Sequence, residues 1–265
     1  MTDQQAEDFR LSVSKTKTFN QCKKQYQFNY LLKFPKKDRD YHVFGKFCHK
    51  VLEEFHSAYL NGCQLPYHTK MSEAWKAAWA EYKEKMTPEM KKECWALVDY
   101  YLRNVTAHKE KGMPANVIAV EKRFEFPIGN NIILNGAIDR IQLDADDVLH
   151  VADYKTTKNK KYLKNDWFQL LTYAYVMLSE DQSIKKVRAS YILLRHDFEY
   201  ITTEFTVKEI KQIKNKFLDV AQQMKTEQEF KATTSALCNY CDFLDDCPEG
   251  KSKSFNKQVY GEIAY

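Results

Sequence analysis

The spacing of apolar residues divides the chain into a helical part followed by a part that alternates strands and helices. Apolar positions three and four residues apart indicate helices in the first part. The predicted helices cover 14–33, 44–60, 72–86 and 87 to about 112. Ser14 and Thr87 are the expected N-caps, and Pro88 occupies a first helical position. The second helix carries an apolar stripe: Phe44, Phe47, Val51, Leu52, Phe55 and Tyr59.

Strand patterns rich in β-branched and aromatic residues begin after residue 116. The predicted strands cover 117–126, 132–143, 148–156, 186–195 and 198–206. A helix over 165–179 follows the third strand, and an amphipathic helix over 207–225 follows the last. Helices, a meander and a crossover helix favour one α/β or α+β domain over residues 1–265.

Composition and charge add only broad limits. Hydrophobic residues make up 44% of the 265 residues and charged residues 29%, which is ordinary for a globular protein. The net charge of +5 is compatible with a polyanionic partner. The polar N-terminus and the lack of an 18-residue apolar run predict no signal peptide and no membrane span. The 7 cysteines are an odd number and four of them are scattered along the chain, which favours a reducing, cytoplasmic location.

The candidate chemistry concentrates in the stretch "GAIDRIQLDADDVLHVADYKT". Because strand side chains alternate, Asp153 and Lys155 lie on the same face. If "DADD" turns a hairpin, Asp139 approaches Asp153 from the neighbouring strand. An acid among apolar neighbours is costly unless it is paired or bound to a metal, so the pair predicts a Mg²⁺ or Mn²⁺ site. The alternative is an ordinary Asp–Lys pair on a surface hairpin.

"GAIDRIQLD" followed by "VADYKT" resembles the metal-binding core of PD-(D/E)XK nucleases, in the RecB-like branch. That branch continues with a Gln-x-x-x-Tyr pair on the next helix, which "WFQLLTYAY" supplies as Gln169 and Tyr173. It also has an earlier Gly-x-x-x-His helix, which "GKFCHKVLEEF" supplies as Gly45 and His49. Helical geometry places His49 beside the apolar stripe, within reach of a sheet-bound metal. His56, on the same flank, is expected to be a surface histidine.

The resemblance implies a restriction-endonuclease-like α/β core, a mixed central sheet flanked by helices, over 117–206, with 44–112 as a helical insertion. It implies these metal ligands: His49, Asp139, Asp153 and the Tyr154 carbonyl. The residues that it makes catalytic are Asp139, Asp153, Lys155, Gln169 and Tyr173. Glu121 stands where relatives often carry a further acid, and its alternative is a solvent-facing strand residue.

The cysteines of "CNYCDFLDDCP" are Cys238, Cys241 and Cys247, a trio that lacks the usual fourth ligand. Some RecB-like nucleases, among them AddB-type and CRISPR-adaptation nucleases, hold a 4Fe–4S cluster with one N-terminal and three C-terminal cysteines. By this resemblance Cys22 is the fourth ligand, although Lys23 replaces the proline of many relatives. Segments 14–33 and 231–250 would then form a cluster subdomain that clasps the termini. Zinc is the alternative metal. Cys48, Cys63 and Cys94 are expected not to be ligands.

The expected function is a metal-dependent deoxyribonuclease, an exonuclease on single-stranded DNA or DNA ends in repair, recombination or CRISPR adaptation. The chain carries no Gly-x-x-x-x-Gly-Lys-Ser/Thr loop, so the expected partner is a separate helicase, recombinase or integrase. Basic runs at 36–39 and 156–164 predict DNA contacts. The residues in the second run are Lys158, Lys160, Lys161, Tyr162 and Lys164. Alternatives are a DNA-binding protein that does not cleave and a redox or iron-sensing protein.

Overall fold

The computed structural model describes residues 8–37, 39–105, 116–144, 146–163 and 166–252, without the side chains of Val105 and Tyr162. The chain forms two compact units. Of the described residues, the first unit comprises 8–37, 124–136 and 212–252, and the second comprises those of 39–123 and 137–211. Both units combine segments far apart in sequence, so long-range contacts define each of them.

The helices follow the predicted order. They are α1 (Val13–Gln21), α2 (Lys23–Tyr26), α3 (Asp40–Leu60), α4 (Tyr67–Tyr82), α5 (Pro88–Tyr100), α6 (Phe168–Glu180), α7 (Val207–Thr226) and α8 (Pro248–Ser252). A π-helical turn, Gln27–Leu31, continues α2, and another, Tyr101–Val105, continues α5. Short 3₁₀ turns lie at Lys83–Lys85, Lys160–Tyr162, Ala236–Tyr240 and Leu244–Asp246. Thr87 caps α5 and Pro88 begins it, which confirms both predictions.

The strands form a mixed sheet. They are β1 (Phe9–Leu11), β2 (Asn116–Gly129), β3 (Ile132–Leu143), β4 (Leu149–Lys155), β5 (Lys186–Leu193) and β6 (Glu199–Thr206). In the second unit β3 pairs antiparallel with β4, β4 parallel with β5, and β5 antiparallel with β6. In the first unit β1 lies parallel to the start of β3, and β2 also pairs with β3. The α/β class and the strands after residue 116 are therefore as predicted.

Helix α3 anchors the core of the second unit. Five residues of its predicted stripe are no more than 1% exposed, and Tyr59 packs partly buried against the same cluster. Phe47 meets the ring of Trp75 on α4 edge to face, with centroids 4.9 Å apart. Met90, Cys94 and Val98 supply the inner face of α5. This packing fixes the backbone of α3, which carries His49.

The N-terminal helix differs from the prediction in two respects. The helix predicted over 14–33 is broken at Cys22, whose backbone is extended, with φ −160°. The N-cap is Ser12, not Ser14, because the Ser12 hydroxyl accepts a hydrogen bond from the Lys15 N–H at 3.1 Å. Strand β1 was not predicted, since three residues carry too little alternation to indicate a strand.

Two later helix boundaries also bear on the prediction. Helix α6 begins at Phe168 rather than at residue 165 or 166. The predicted end of the fourth helix near residue 112 lies outside the described residues.

The expectation of a surface histidine at position 56 is wrong. His56 is 0% exposed, and its Nε2 lies 2.8 Å from the hydroxyl of Tyr101. Burial lowers the pKa of His56 well below its usual value, and the nearby Arg140 guanidinium lowers it further. The histidine is therefore a neutral core residue, held by a tyrosine that the sequence pattern did not connect with it.

Among the described residues, no helix is long and apolar enough to cross a membrane.

Candidate active site and cysteine cavity

The β3–β4 hairpin brings the two predicted acids together. Asp139 lies one residue before Arg140, which pairs with Ala152, the residue before Asp153. The Tyr154 N–H donates a hydrogen bond to Asp139 Oδ2 at 2.9 Å. Asp139 is 9% exposed and Asp153 is 2% exposed, so the sheet holds two carboxyl groups away from bulk water.

Lys155 and the first two turns of α6 surround Asp153. The Lys155 ammonium lies 2.6 Å from Asp153 Oδ2, which places both on one face of β4 as predicted. Gln169 links the two, because its amide NH₂ donates to Asp153 Oδ1 at 2.5 Å while its Oε1 accepts from Lys155 Nζ at 3.0 Å. The Tyr173 hydroxyl completes the group, 3.4 Å from Asp153 Oδ1 and 2.8 Å from the Gln169 amide nitrogen.

Helix α3 places His49 next to Asp139. The His49 Nε2 lies 3.0 Å from the Tyr154 carbonyl oxygen, and its Nδ1 lies 3.4 Å from Asp139 Oδ2. Gly45, one turn earlier, allows this approach, since a Cβ there would lie 3.3 Å from the Thr156 hydroxyl. Burial lowers the pKa of His49, and the neutral imidazole that results is the form that binds metals.

Glu121 joins the site through an unusual backbone conformation. Its φ of +45° lies in the left-handed region, within the long strand β2. Ligand atoms of His49, Glu121 and Asp139 all lie within 4.8 Å of one another. Burial, followed by the neighbouring charge of Asp139, raises the pKa of Glu121 to about 7. Glu121 is therefore half-buried against the acids, and not a solvent-facing strand residue.

The charges of the site are unfavourable without a cation. Burial raises the pKa of Asp139 well above its usual value, and the Asp153 carboxylate raises it further. Burial works against the charged form of Lys155, but the charge of Asp153 outweighs it and raises the pKa of the ammonium. One ammonium faces three acids, so a divalent cation beside Glu121 and Asp139 would relieve the remaining repulsion.

The donor set fits a six-coordinate ion. It combines carboxylate oxygens, a main-chain carbonyl and one imidazole, which suit Mg²⁺ or Mn²⁺. His49 Nε2 and the Tyr154 carbonyl oxygen, which are 3.0 Å apart in a hydrogen bond, would both be donor atoms for such an ion when the imidazole proton is on Nδ1.

The predicted DNA-contacting lysines lie outside this group of contacts. Lys160 forms an ion pair with Glu199 at 2.5 Å. Lys158 and Lys161 are exposed. Lys164 lies outside the described residues, and nothing is described of the Tyr162 side chain.

Arg195 was missed by the sequence analysis. Its Nη1 donates to the Thr156 carbonyl at 2.6 Å, immediately after Lys155, and its Nε donates to Glu93 of α5 at 2.6 Å. The guanidinium also lies over the ring of Phe44, 4.1 Å from its centroid. Arg195 thus holds the end of β4 in place. No local pattern could reveal it, because its partners are 39 and 102 residues away.

In the first unit, four cysteines line one cavity. They are Cys22, Cys238, Cys241 and Cys247. Each sulfur accepts a backbone hydrogen bond, from Thr233, Ser235, Phe243 and Gly250 respectively. Such hydrogen bonds stabilise metal-bound thiolates, so the donor set fits a thiolate-ligated metal group.

The spacing of the four sulfur atoms bears on which metal group the cavity could hold. Two thiolates on a tetrahedral zinc ion lie about 3.8 Å apart. Among the described residues, the only His, Cys, Asp and Glu side chains that form a set of three or more within 4.8 Å are those around Asp139. No three of the four sulfurs therefore lie within 4.8 Å of one another.

The comparisons with known proteins point to one family. The model of the PD-(D/E)XK nuclease superfamily matches residues 10–248 of this chain. The chain is 25% identical over 160 residues to one of the subunits of the ATP-dependent helicase/deoxyribonuclease from three Streptococcus pyogenes strains, of serotypes M49, M4 and M1. The match covers 57% of this chain and 14% of the length of each relative.

A solved structure has a similar fold. It is a protein from Eubacterium rectale whose name proposes exonuclease activity. The superposition has a TM-score of 0.54 and covers 98% of this chain and 96% of that one, with 11% sequence identity. At this identity the likeness concerns the fold alone.

Proposed function

The chain belongs to the PD-(D/E)XK nuclease superfamily, and from this we propose that it is a metal-dependent deoxyribonuclease that hydrolyses phosphodiester bonds. One observation carries the proposal. Asp139, Asp153 and Lys155 meet on one face of the sheet, with Lys155 Nζ 2.6 Å from Asp153 and both carboxyl groups nearly buried. A structural ion pair would not need the second buried acid.

The metal would be held by His49, Asp139, Asp153 and the Tyr154 carbonyl, with Glu121 as a further ligand. When bound, Mg²⁺ or Mn²⁺ supplies Lewis-acid polarisation of the phosphate and lowers the pKa of water. His49 and Glu121 support this assignment through their position against Asp139.

Lys155 acts next to the reacting phosphate. Its ammonium is kept charged by Asp153 and directed by Gln169 Oε1, so it can stabilise the negative charge that develops during hydrolysis. Gln169 and Tyr173 are positioning residues, since both act through hydrogen bonds to Asp153. Hydrolysis by this arrangement leaves a 5′-phosphate and a 3′-hydroxyl.

The proposed substrate is single-stranded DNA or a DNA end, cleaved as an exonuclease. The name of the streptococcal relatives combines a helicase with a deoxyribonuclease, which supports a separate helicase as partner. A recombinase or integrase is the other proposed kind of partner. The processes that we propose are repair, recombination or CRISPR adaptation.

The four cysteines of the first unit would hold a 4Fe–4S cluster with a structural role. The shared cavity and the backbone hydrogen bonds to the sulfurs support a thiolate-bound metal group, and zinc is the alternative to the cluster. Cys22 is 216 positions before Cys238, so a bound cluster would join the two ends of the described chain.

The experiment is cleavage of an end-labelled single-stranded DNA with Mg²⁺, with Mn²⁺ and with EDTA. We expect cleavage with either ion and none with EDTA. Lys155→Ala should lower the rate by about 10²-fold or more. The matched control is Lys185→Ala, an exposed lysine before β5, which should cleave at the wild-type rate. Equal rates for Lys155→Ala and wild type would overturn the proposal in favour of binding without cleavage.

A further inference from the structure

An open groove adjoins the candidate metal ligands in the second unit. It has a volume of about 350 Å³, and His49 and Glu121 form part of its lining. Both residues also belong to the group around Asp139. A phosphate held at that group would therefore have its neighbouring nucleotide in or beside this groove.

The groove offers one ammonium that no acid among the described residues neutralises. Lys46 is exposed and lines the groove, and it forms no ion pair with any described residue. Lys50, one turn further along α3, is already held by Glu54 at 2.7 Å and by Glu53 at 3.1 Å. Lys46 is three residues before His49, so their Cβ atoms are about 5–6 Å apart on one helix face. The cation available for a second phosphate is therefore Lys46.

An aromatic ring lines the same groove. Tyr82, at the end of α4, is half-buried and lines it together with Lys46. The ring of Phe47 meets Tyr82 edge to face, with centroids 6.2 Å apart and an interplanar angle of 90°. This contact holds the tyrosine in place from the core side. A positioned aromatic ring beside a phosphate-binding cation is the arrangement that binds unpaired bases.

We propose that this groove binds the nucleotide next to the scissile phosphate of single-stranded DNA, with Lys46 on its phosphate and Tyr82 stacked on its base. The inference rests on the proposed nuclease function, because that function places a scissile phosphate at His49. It adds a substrate preference: Tyr82 can stack only on a base that is not paired. A duplex would offer Lys46 a phosphate but would offer Tyr82 no free base.

The test measures affinity separately from cleavage. The full chain is titrated with a fluorescent single-stranded oligonucleotide whose phosphorothioate linkages resist hydrolysis, in Mg²⁺ and at several salt concentrations. We expect Lys46→Ala and Tyr82→Leu each to weaken binding about five-fold or more. Lys46→Ala should also reduce the slope of log K against log salt by about 0.7. Tyr82→Phe keeps the ring and should bind like wild type.

Two controls make the result specific. Lys76→Ala removes an exposed lysine of α4 that does not line the groove, and it should leave affinity and salt slope unchanged. Tyr82→Leu should not weaken binding of a blunt duplex with the same linkages. Melting curves identify any variant that fails to fold. If Tyr82→Leu does not fold, wild type and Tyr82→Phe are instead bound to an oligonucleotide that carries 2-aminopurine as the base next to the scissile phosphate. Stacking on the aromatic ring should quench the fluorescence of 2-aminopurine in both proteins.

The outcomes separate the two proposals. Unchanged single-strand affinity in Lys46→Ala and Tyr82→Leu, or an equal loss for single strand and duplex in Tyr82→Leu, would overturn the groove assignment. Unquenched 2-aminopurine in wild type would overturn it as well. If the groove variants bind as expected but wild type leaves ordinary DNA uncut, the nuclease proposal fails, and the groove remains a binding site for an unpaired nucleotide without a scissile phosphate beside it.

Discussion

One carboxylate oxygen of Asp139 makes two contacts. Its Oδ2 accepts the Tyr154 N–H at 2.9 Å and lies 3.4 Å from His49 Nδ1. The backbone hydrogen bond orients the carboxylate, and the strand that provides it also presents the Tyr154 carbonyl to His49. Asp139 thus contacts both the neighbouring strand of the hairpin and the His49 side chain of α3.

The closeness of Asp139, Asp153 and Lys155 could be predicted from the sequence because it follows local rules, whereas their catalytic role stays a prediction. Asp153 and Lys155 share a strand face, and Gln169 and Tyr173 share a helix face, at fixed spacings. Glu121 shows the limit of such rules. Its carboxylate lies within 4.8 Å of a ring nitrogen of His49, and its φ is left-handed within a strand, neither of which its neighbours in sequence indicate.

His56 supplies a prediction about stability. The imidazole is buried and its pKa is lowered, so the folded state keeps it neutral while the unfolded chain protonates it below about pH 6.5. The unfolded state then binds more protons, and stability falls as the pH falls. When the pH falls from 7 to 5, the unfolding free energy of wild type should fall by about 2 kcal/mol more than that of His56→Gln.

Chemical denaturation at the two pH values measures this effect. His68→Gln replaces an exposed histidine and is the matched control, with the pH dependence of wild type. If His56→Gln and wild type lost equal stability between the two pH values, His56 would not be neutral in the folded chain.

At the scale of elements, the long repeated patterns predicted the structure correctly, and the short features were missed. Helix α3 has 21 residues and carries a stripe that repeats from Phe44 to Tyr59, and its buried face is as predicted. Strand β1 has 3 residues, and the break at Cys22 changes one backbone conformation within an otherwise helical pattern. Neither leaves a periodic signal. Short features depend on tertiary contacts that a single sequence does not contain.

Gly45 lies where α3 packs closely against the residue that follows β4. Glycine in a helix costs about 1 kcal/mol relative to alanine. Here the missing Cβ lets α3 lie against Thr156, directly after Lys155. The motif identifies the glycine, but only the packing shows that it sets the distance between the helix of His49 and the end of β4.

At the scale of the whole molecule, the first unit joins the beginning and the end of the described chain. Cys22 shares a cavity with cysteines more than 200 positions later in the sequence. The sequence could suggest this grouping through family resemblance alone, because a separation of that length has no periodicity. The four backbone hydrogen bonds to the sulfurs are visible only in the folded chain.

Cys22→Ser tests the proposed cluster. Removing one of four ligands should greatly reduce bound iron and the absorbance near 400 nm, and it should lower the melting temperature, since the cluster stabilises the fold. Cys63→Ser is the matched control, because Cys63 does not line the cavity and should leave the iron content unchanged. Full iron content in Cys22→Ser would show that the ligand is another residue. Zinc in place of iron in the wild-type protein would contradict the choice of metal.

The central claim is that the site around Asp139 hydrolyses DNA with a divalent metal. The most direct measurement is single-turnover cleavage of a 5′-labelled single-stranded oligonucleotide in Mg²⁺, comparing wild type with Asp139→Asn and determining the product masses. We predict that wild type cleaves to products with 5′-phosphate and 3′-hydroxyl ends. Asp139→Asn should be slower by about 10²-fold or more. Cleavage by Asp139→Asn at the wild-type rate, or no Mg²⁺-dependent cleavage by wild type, would contradict the claim.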